Sequence, residues 1–184
     1  MLAAAISLAA SAYLFVGLFV LARRKPGYRH MKHTISELGE MGAPDQRFVA
    51  FGFFLPIGVL LAIVAYLLQS TSTPTSALAF CIAIGYIGAA VFPCDVGSPL
   101  SGTARQAAHN LAGAIEYIGG GSSLLLLAET LGQSFKFAGL MVLSIAIGLS
   151  FISSNSIRGM IQRGAEICLF GGLVLAALRV AKAA

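Results

Sequence analysis

The sequence predicts an all-α polytopic membrane protein: a bundle of six transmembrane helices with a short interfacial helix in the first cytoplasmic connector. Three observations carry that expectation. Hydrophobic residues make up 58% of the 184-residue chain and charged ones only 10%, against roughly 25% charged in soluble domains. Six apolar runs approach the ~20 residues needed to cross hydrocarbon, and mean hydropathy over the whole chain is +0.88. Cationic residues sit almost entirely in the connectors between those runs. A water-soluble core has no use for so much apolar surface; lipid accepts it, because helices satisfy their own backbone polar groups.

The first span, about residues 2–22, has the small residues of a secretory signal at Ala9, Ala10 and Ser11. Its positive charges, Arg23, Arg24 and Lys25, follow the apolar run instead of preceding it, so the segment is expected to stay in the protein. The connector after it holds the polar stretch of residues 30–40, with two of the three histidines and two of the seven acids. Thr34-Ile35-Ser36-Glu37 has capping-box spacing, which predicts a short helix entered at Thr34, with Ile35, Leu38 and Met41 on one face and Gly42 and Pro44 stopping it. Such a piece would lie at the membrane interface. Asp45 is placed to cap the second span, about 48–68, in which Pro56 should kink the helix and free the carbonyl near Gly52.

The third span, about 75–92, ends in a connector of turn formers, Pro93 to Pro99. A second capping-box spacing, Thr103 to Gln106, then opens the fourth span, about 107–128. The fifth and sixth run over about 137–151 and 157–178. Small residues at helical spacing, Gly85 with Ala89 and Gly164 with Cys168 and Gly172, read as packing contacts. No repeat or boundary divides the chain, so residues 1–184 are expected to be a single domain. Counted by alternate connectors, nine of the twelve Lys and Arg residues fall on one side and three on the other. That asymmetry predicts a multi-pass protein of the cell membrane with both termini outside the cytoplasm.

Net charge is +5 and the pI near 9.4, but the charges are spread over connectors, so they record topology and not a nucleic-acid partner. Membrane lipids are the expected partners. Cys81, Cys94 and Cys168 are odd in number and read as reduced, small apolar residues. The chemistry-bearing residues gather on the cytoplasmic side. His109 and Glu116, seven apart on the fourth span, share a face, with Glu116 about 10 Å deeper at 1.5 Å per residue. Arg163 lies at similar depth in the sixth. Ionisable groups at such depth face the bundle interior and find partners, which predicts a Glu116 to Arg163 pair under His109 and Asp95, closed over by the segment from Thr34 to Gly39. The candidate ligand-binding set is His33, Ser36, Glu37, Asp95, His109, Asn110, Glu116 and Arg163.

Other chemistries fit less well. His33, Glu37, Asp95 and His109 are of metal-ligating type, yet no HExxH or paired ligand motif is present, so no metal and no cofactor is assigned. Ser36, Ser98 or Ser101 activated by His109, with Asp95 as orienter, would make a hydrolytic centre, but no GxSxG elbow accompanies them.

HTISELG after the first span, FPCD at the end of the third, HN early in the fourth and GMIQR in the sixth together resemble a prokaryotic membrane family catalogued as domain of unknown function 998, from about His33 to Arg163. That family is itself held to be distantly similar to the six-helix Frag/DRAM/Sfk membrane proteins. The resemblance implies a link to lipids without implying a reaction. The expected function is binding or movement of a lipid headgroup or small amphiphile at a cytoplasm-facing polar site. The alternatives are an intramembrane enzyme acting on headgroups through a His/Asp/Glu cluster, and a structural or regulatory protein whose polar cluster only locks the bundle.

Overall fold

The computed structural model describes residues 1–152 and 157–183. Six helices among them are long and apolar enough to cross a membrane: α1 (Leu2–Arg24), α2 (Gln46–Leu68), α3 (Thr73–Val91), α4 (Ala104–Leu131), α5 (Gln133–Phe151) and α6, which begins at Arg158 and runs to Ala183. No strand forms among the described residues. The protein is an all-helical, multi-pass membrane protein.

Each helix packs on the next, and α6 closes the ring by lying against α1 while also touching α3 and α4. Phe53, Ile57, Leu78, Ile82, Leu124 and Phe170 are fully buried at the centre. Phe19, Phe51, Tyr66, Phe80 and Phe137 point outward and are exposed. So broad an apolar exterior would drive a water-soluble monomer to associate; it is the exterior that helices long and apolar enough to cross a membrane require.

Two helices change pitch. α2 takes π-helical turns over Val49–Phe54, ahead of Pro56. The proline has no N–H to give back to the previous turn, and the Gly52 carbonyl accepts from the Tyr13 hydroxyl of α1 at 2.5 Å. α4 does the same over Ile115–Gly119, around Glu116. The α4–α5 hairpin turns on Gly132 alone, whose φ of +98° is strained for any residue with a Cβ.

Where the sequence predicts an interfacial helix, only a four-residue 3-10 turn forms, Ser36–Gly39. Gly39 and the Gly42 to Pro44 stop leave no room for a longer element, and Glu37, Leu38 and Gly39 are buried against the helix ends. Asp45 precedes α2 but makes no side-chain cap bond. Its carboxylate instead faces the Arg24 guanidinium at 2.9 Å, joining the ends of α1 and α2.

Candidate functional site

The connectors at the Arg24 end of the bundle form one hydrogen-bonded cap. The Thr34 amide donates to Glu37 Oε1 at 2.8 Å and the Glu37 amide to Thr34 Oγ1 at 3.3 Å, the reciprocal pattern of a capping box. Lys25 pairs with Glu40 at 2.6 Å and also donates to the Glu37 carbonyl. The other Glu40 oxygen accepts from the Gly97 amide at 2.6 Å, and the Met41 amide donates to the Cys94 carbonyl at 2.9 Å. Burial pushes the Cys94 thiol up to about 12, which makes it a weak donor, held 3.4 Å from the Ser36 carbonyl.

The second capping box closes differently from the sequence pattern. Thr103 Oγ1 accepts from the Gln106 amide at 3.2 Å as expected. Gln106 does not reach back; its Oε1 accepts from the Asp95 amide at 2.6 Å. Asp95 takes its place, accepting from the Thr103 amide at 2.9 Å and pairing with Arg105 at 2.6 Å. Those donors, the Thr103 amide foremost, hold the Asp95 carboxyl below its ordinary range.

Beneath the cap lies a cavity of about 740 Å³. Thr34 and Ser36 of the cap, Gly85 of α3, His109, Asn110, Glu116 and Tyr117 of α4, Ile147 and Ser150 of α5, and Arg158 and Gln162 of α6 are among its lining residues. It opens sideways as well as toward the cap, since the wall residues Leu111, Ile118 and Ile147 are also exposed on the lipid-facing exterior. The gap arises because α4 and α5 diverge from their hairpin. Near Gly132 a Cβ on Gly139 would stand 2.8 Å from the Gly121 carbonyl oxygen, whereas Gly113 and Gly148, at the cap ends, face open space.

Polar groups converge on this space. His109 Nε2 lies 3.1 Å from Ser36 Oγ, and its Nδ1 lies 2.9 Å from the Phe92 carbonyl. Gln162 accepts from the Ile35 amide at 2.7 Å and donates to the Tyr117 hydroxyl at 3.0 Å. Tyr117 donates to Glu166 at 2.8 Å and Tyr86 to its other oxygen at 3.1 Å. Two buried groups on the wall are left over: Glu116 Oε1 and Arg158 Nε have no hydrogen-bond partner among the described residues. Such orphans are rare in native interiors. Among the described residues no three His, Cys, Asp or Glu side chains are grouped closely enough to hold a metal ion.

The family model described as "Protein of unknown function (DUF998)" matches residues 8–179. The chain belongs to the DUF998 family. No curated protein and no solved structure matches it.

Four of the eight residues proposed from sequence meet in this DUF998 protein's cavity, namely Ser36, His109, Asn110 and Glu116. The other four lie elsewhere. His33 accepts from the Arg29 amide at 2.8 Å and packs on Tyr28 with ring centroids 5.4 Å apart. Glu37 and Asp95 are taken up by the two boxes. The expected Glu116 to Arg163 pair does not form. Arg163 instead donates to the His30 carbonyl at 2.7 Å, the His33 carbonyl at 3.0 Å and the Tyr28 hydroxyl at 2.6 Å. Matching their depths was insufficient, because the azimuth of Arg163 points it at the first connector. Glu116 packs against Gly85, where a Cβ would stand 2.5 Å from its Cδ.

Sequence reasoning passed over Arg158, Gln162 and Tyr117. A signal for the first two was present: Arg158, Gln162 and Glu166 recur every four residues, a polar stripe on one face of α6, and all three are buried.

Proposed function

We propose that this protein binds or moves a lipid headgroup or small amphiphile, in the cell membrane, through a site on the cytoplasmic side. The supporting observation is the cavity itself, apolar on its open side and carrying two buried polar atoms without partners among the described residues, one on Arg158 and one on Glu116. An amphiphile supplies what each half lacks. Its chain lies along the exposed gap between α4 and α5, its phosphate or carboxylate meets the Arg158 guanidinium, and an ammonium or hydroxyl on the same headgroup meets Glu116. The nine-to-three distribution of cations supports a cytoplasmic cap and both termini outside.

Native mass spectrometry of the protein taken from nanodiscs of defined phospholipid tests this reading. The expected result is retained phospholipid on the wild-type chain, with retention falling tenfold or more in Arg158→Gln. That is the loss of one hydrogen bond to a charged group, about 1.5–3 kcal/mol. A wild-type chain that carries no lipid, or an Arg158→Gln chain that carries as much, would refute it.

A further inference from the structure

We infer that Ser36 and His109 are a nucleophile and its general base, and that the cavity cleaves a carboxylic ester of the lipid it holds. The inference rests on the lipid-binding reading for the identity of the substrate, and on separate geometry for the chemistry. A backbone carbonyl can only accept, so the 2.9 Å contact to Phe92 places the proton of a neutral imidazole on His109 Nδ1. That leaves the Nε2 lone pair facing Ser36 Oγ at 3.1 Å, and the serine hydroxyl donates to it. This is the nucleophile–base–orienter arrangement of acyl-transfer sites, with a peptide carbonyl standing where other proteins place a carboxylate. Asp95, the orienter expected from sequence, is occupied by Thr103 and Arg105.

Ser36 is not needed where it stands for the backbone. The 3-10 turn is capped by the reciprocal bonds of Thr34 and Glu37, and Gln162 fixes the preceding amide of Ile35. The Ser36 hydroxyl therefore takes no part in capping the turn, and its neighbours hold it in position against His109. Both members of the pair line the cavity, along with Leu111, Ala114 and Ile147, which make an apolar bed for an acyl chain. An ester carbonyl sits at the junction of chain and headgroup, and this pair sits on the wall that joins the apolar gap to the cap.

In the reaction, Ser36 Oγ bonds to the ester carbonyl carbon while its proton passes to His109 Nε2. The carbon–oxygen bond to the glycerol or other alcohol then breaks, and that oxygen leaves with the proton from Nε2. Water, the second substrate, attacks the acyl-serine and gives its proton to Nε2. Release of the carboxylic acid returns that proton to Ser36 Oγ. One ester and one water become one acid and one alcohol, with no change of oxidation state.

An alkyl fluorophosphonate is the probe. Serine attack forms an oxygen–phosphorus bond and expels fluoride. The purified full-length chain should gain one adduct by intact mass, mapped to Ser36 by tandem mass spectrometry. Ser36→Ala should gain none, His109→Gln should react roughly 10²-fold more slowly or worse, and Ser101→Ala should react like the wild type. Mapping the adduct on the unmutated chain keeps the test independent of how any variant folds. An unlabelled wild-type chain, an adduct on another serine, or a His109→Gln chain labelled at the wild-type rate overturns the pair, whatever the lipid-retention experiment returns. A Ser36 adduct on a chain that retains no lipid overturns the lipid reading and the ester assigned from it, and leaves the nucleophile standing.

Discussion

Arg163 and Asp95 are both charged groups that the sequence offers as site residues and the structure uses as fasteners. Arg163 spreads its hydrogen bonds over the His30, His33 and Gly159 carbonyls and the Tyr28 hydroxyl, and its guanidinium carbon lies 5.8 Å from the centre of the Tyr28 ring. Burial raises Tyr28 to about 12, so its contribution as a neutral hydroxyl is intact below its ordinary 10.0 and fades only as pH rises through 12. Asp95 acts at the other end of the scale. Its folded pKa is lowered from 3.8, so its contribution is present above that value and is lost as pH falls through the folded one. Thermal melts at falling pH should therefore show a drop in Tm on the acid side that is weaker in Asp95→Asn, whose Tm is lower than wild type at pH 7. An unchanged acid limb in that variant counts against the assignment. Local pairs of this kind are legible in sequence: Thr34 and Glu37 stand three apart and find each other as spacing predicts. Arg163 is not, because a residue's depth along a helix follows from counting, while its direction depends on which of several faces the neighbouring elements leave open.

Among the elements, α4 and α5 show how glycine placement shapes space. Gly121 and Gly139 bring the two backbones together near the hairpin, whereas Gly113 lines the cavity and a Cβ there would meet nothing within 4 Å. Gly139→Ala forces a methyl against the Gly121 carbonyl and Leu125 and should cost about 1–3 kcal/mol, the usual range for overpacking. Gly113→Leu should leave Tm within a few degrees of wild type while reducing lipid retention, because its side chain fills the cavity and not the core. Equal losses of Tm in the two variants would contradict the splayed geometry. Apolar runs locate all six helices to within a few residues. They misplace the hairpin, since Glu129, Gln133 and Lys136 end the hydrophobic run without ending the helix, leaving Gly132 as the sole linker. Pro56 announces the disturbance in α2, where the Gly52 carbonyl is released to Tyr13; the π-helical turn of α4 carries no composition of its own and is not legible.

For the molecule as a whole, composition alone decides the class, and hydropathy decides the number of crossings. Ring closure of α6 on α1 and the sideways opening arise from contacts between helices far apart in the chain, which periodicity within one helix does not encode. The orientation proposed from the cations is checked by single cysteines in a chain whose three native cysteines are replaced by Ala. Val96→Cys, in the exposed cap connector, should react with an impermeant maleimide only after the cells are opened, and Thr71→Cys should react in intact cells. The reverse pattern would invert the protein.

The carboxyl of Glu166 meets the hydroxyls of Tyr86 and Tyr117 in the middle of the bundle, and that meeting bears on how the chain is made. A lone acid on a helix entering hydrocarbon is costly, and synthesis proceeds from the N-terminus. Tyr86 and Tyr117 precede α6 in synthesis, so that helix can enter lipid against partners that are waiting for it. Losing either tyrosine should therefore show first in how much chain reaches the membrane: Tyr117→Phe is expected to lower the membrane-inserted yield on fractionation more than it lowers the Tm of the protein that is inserted.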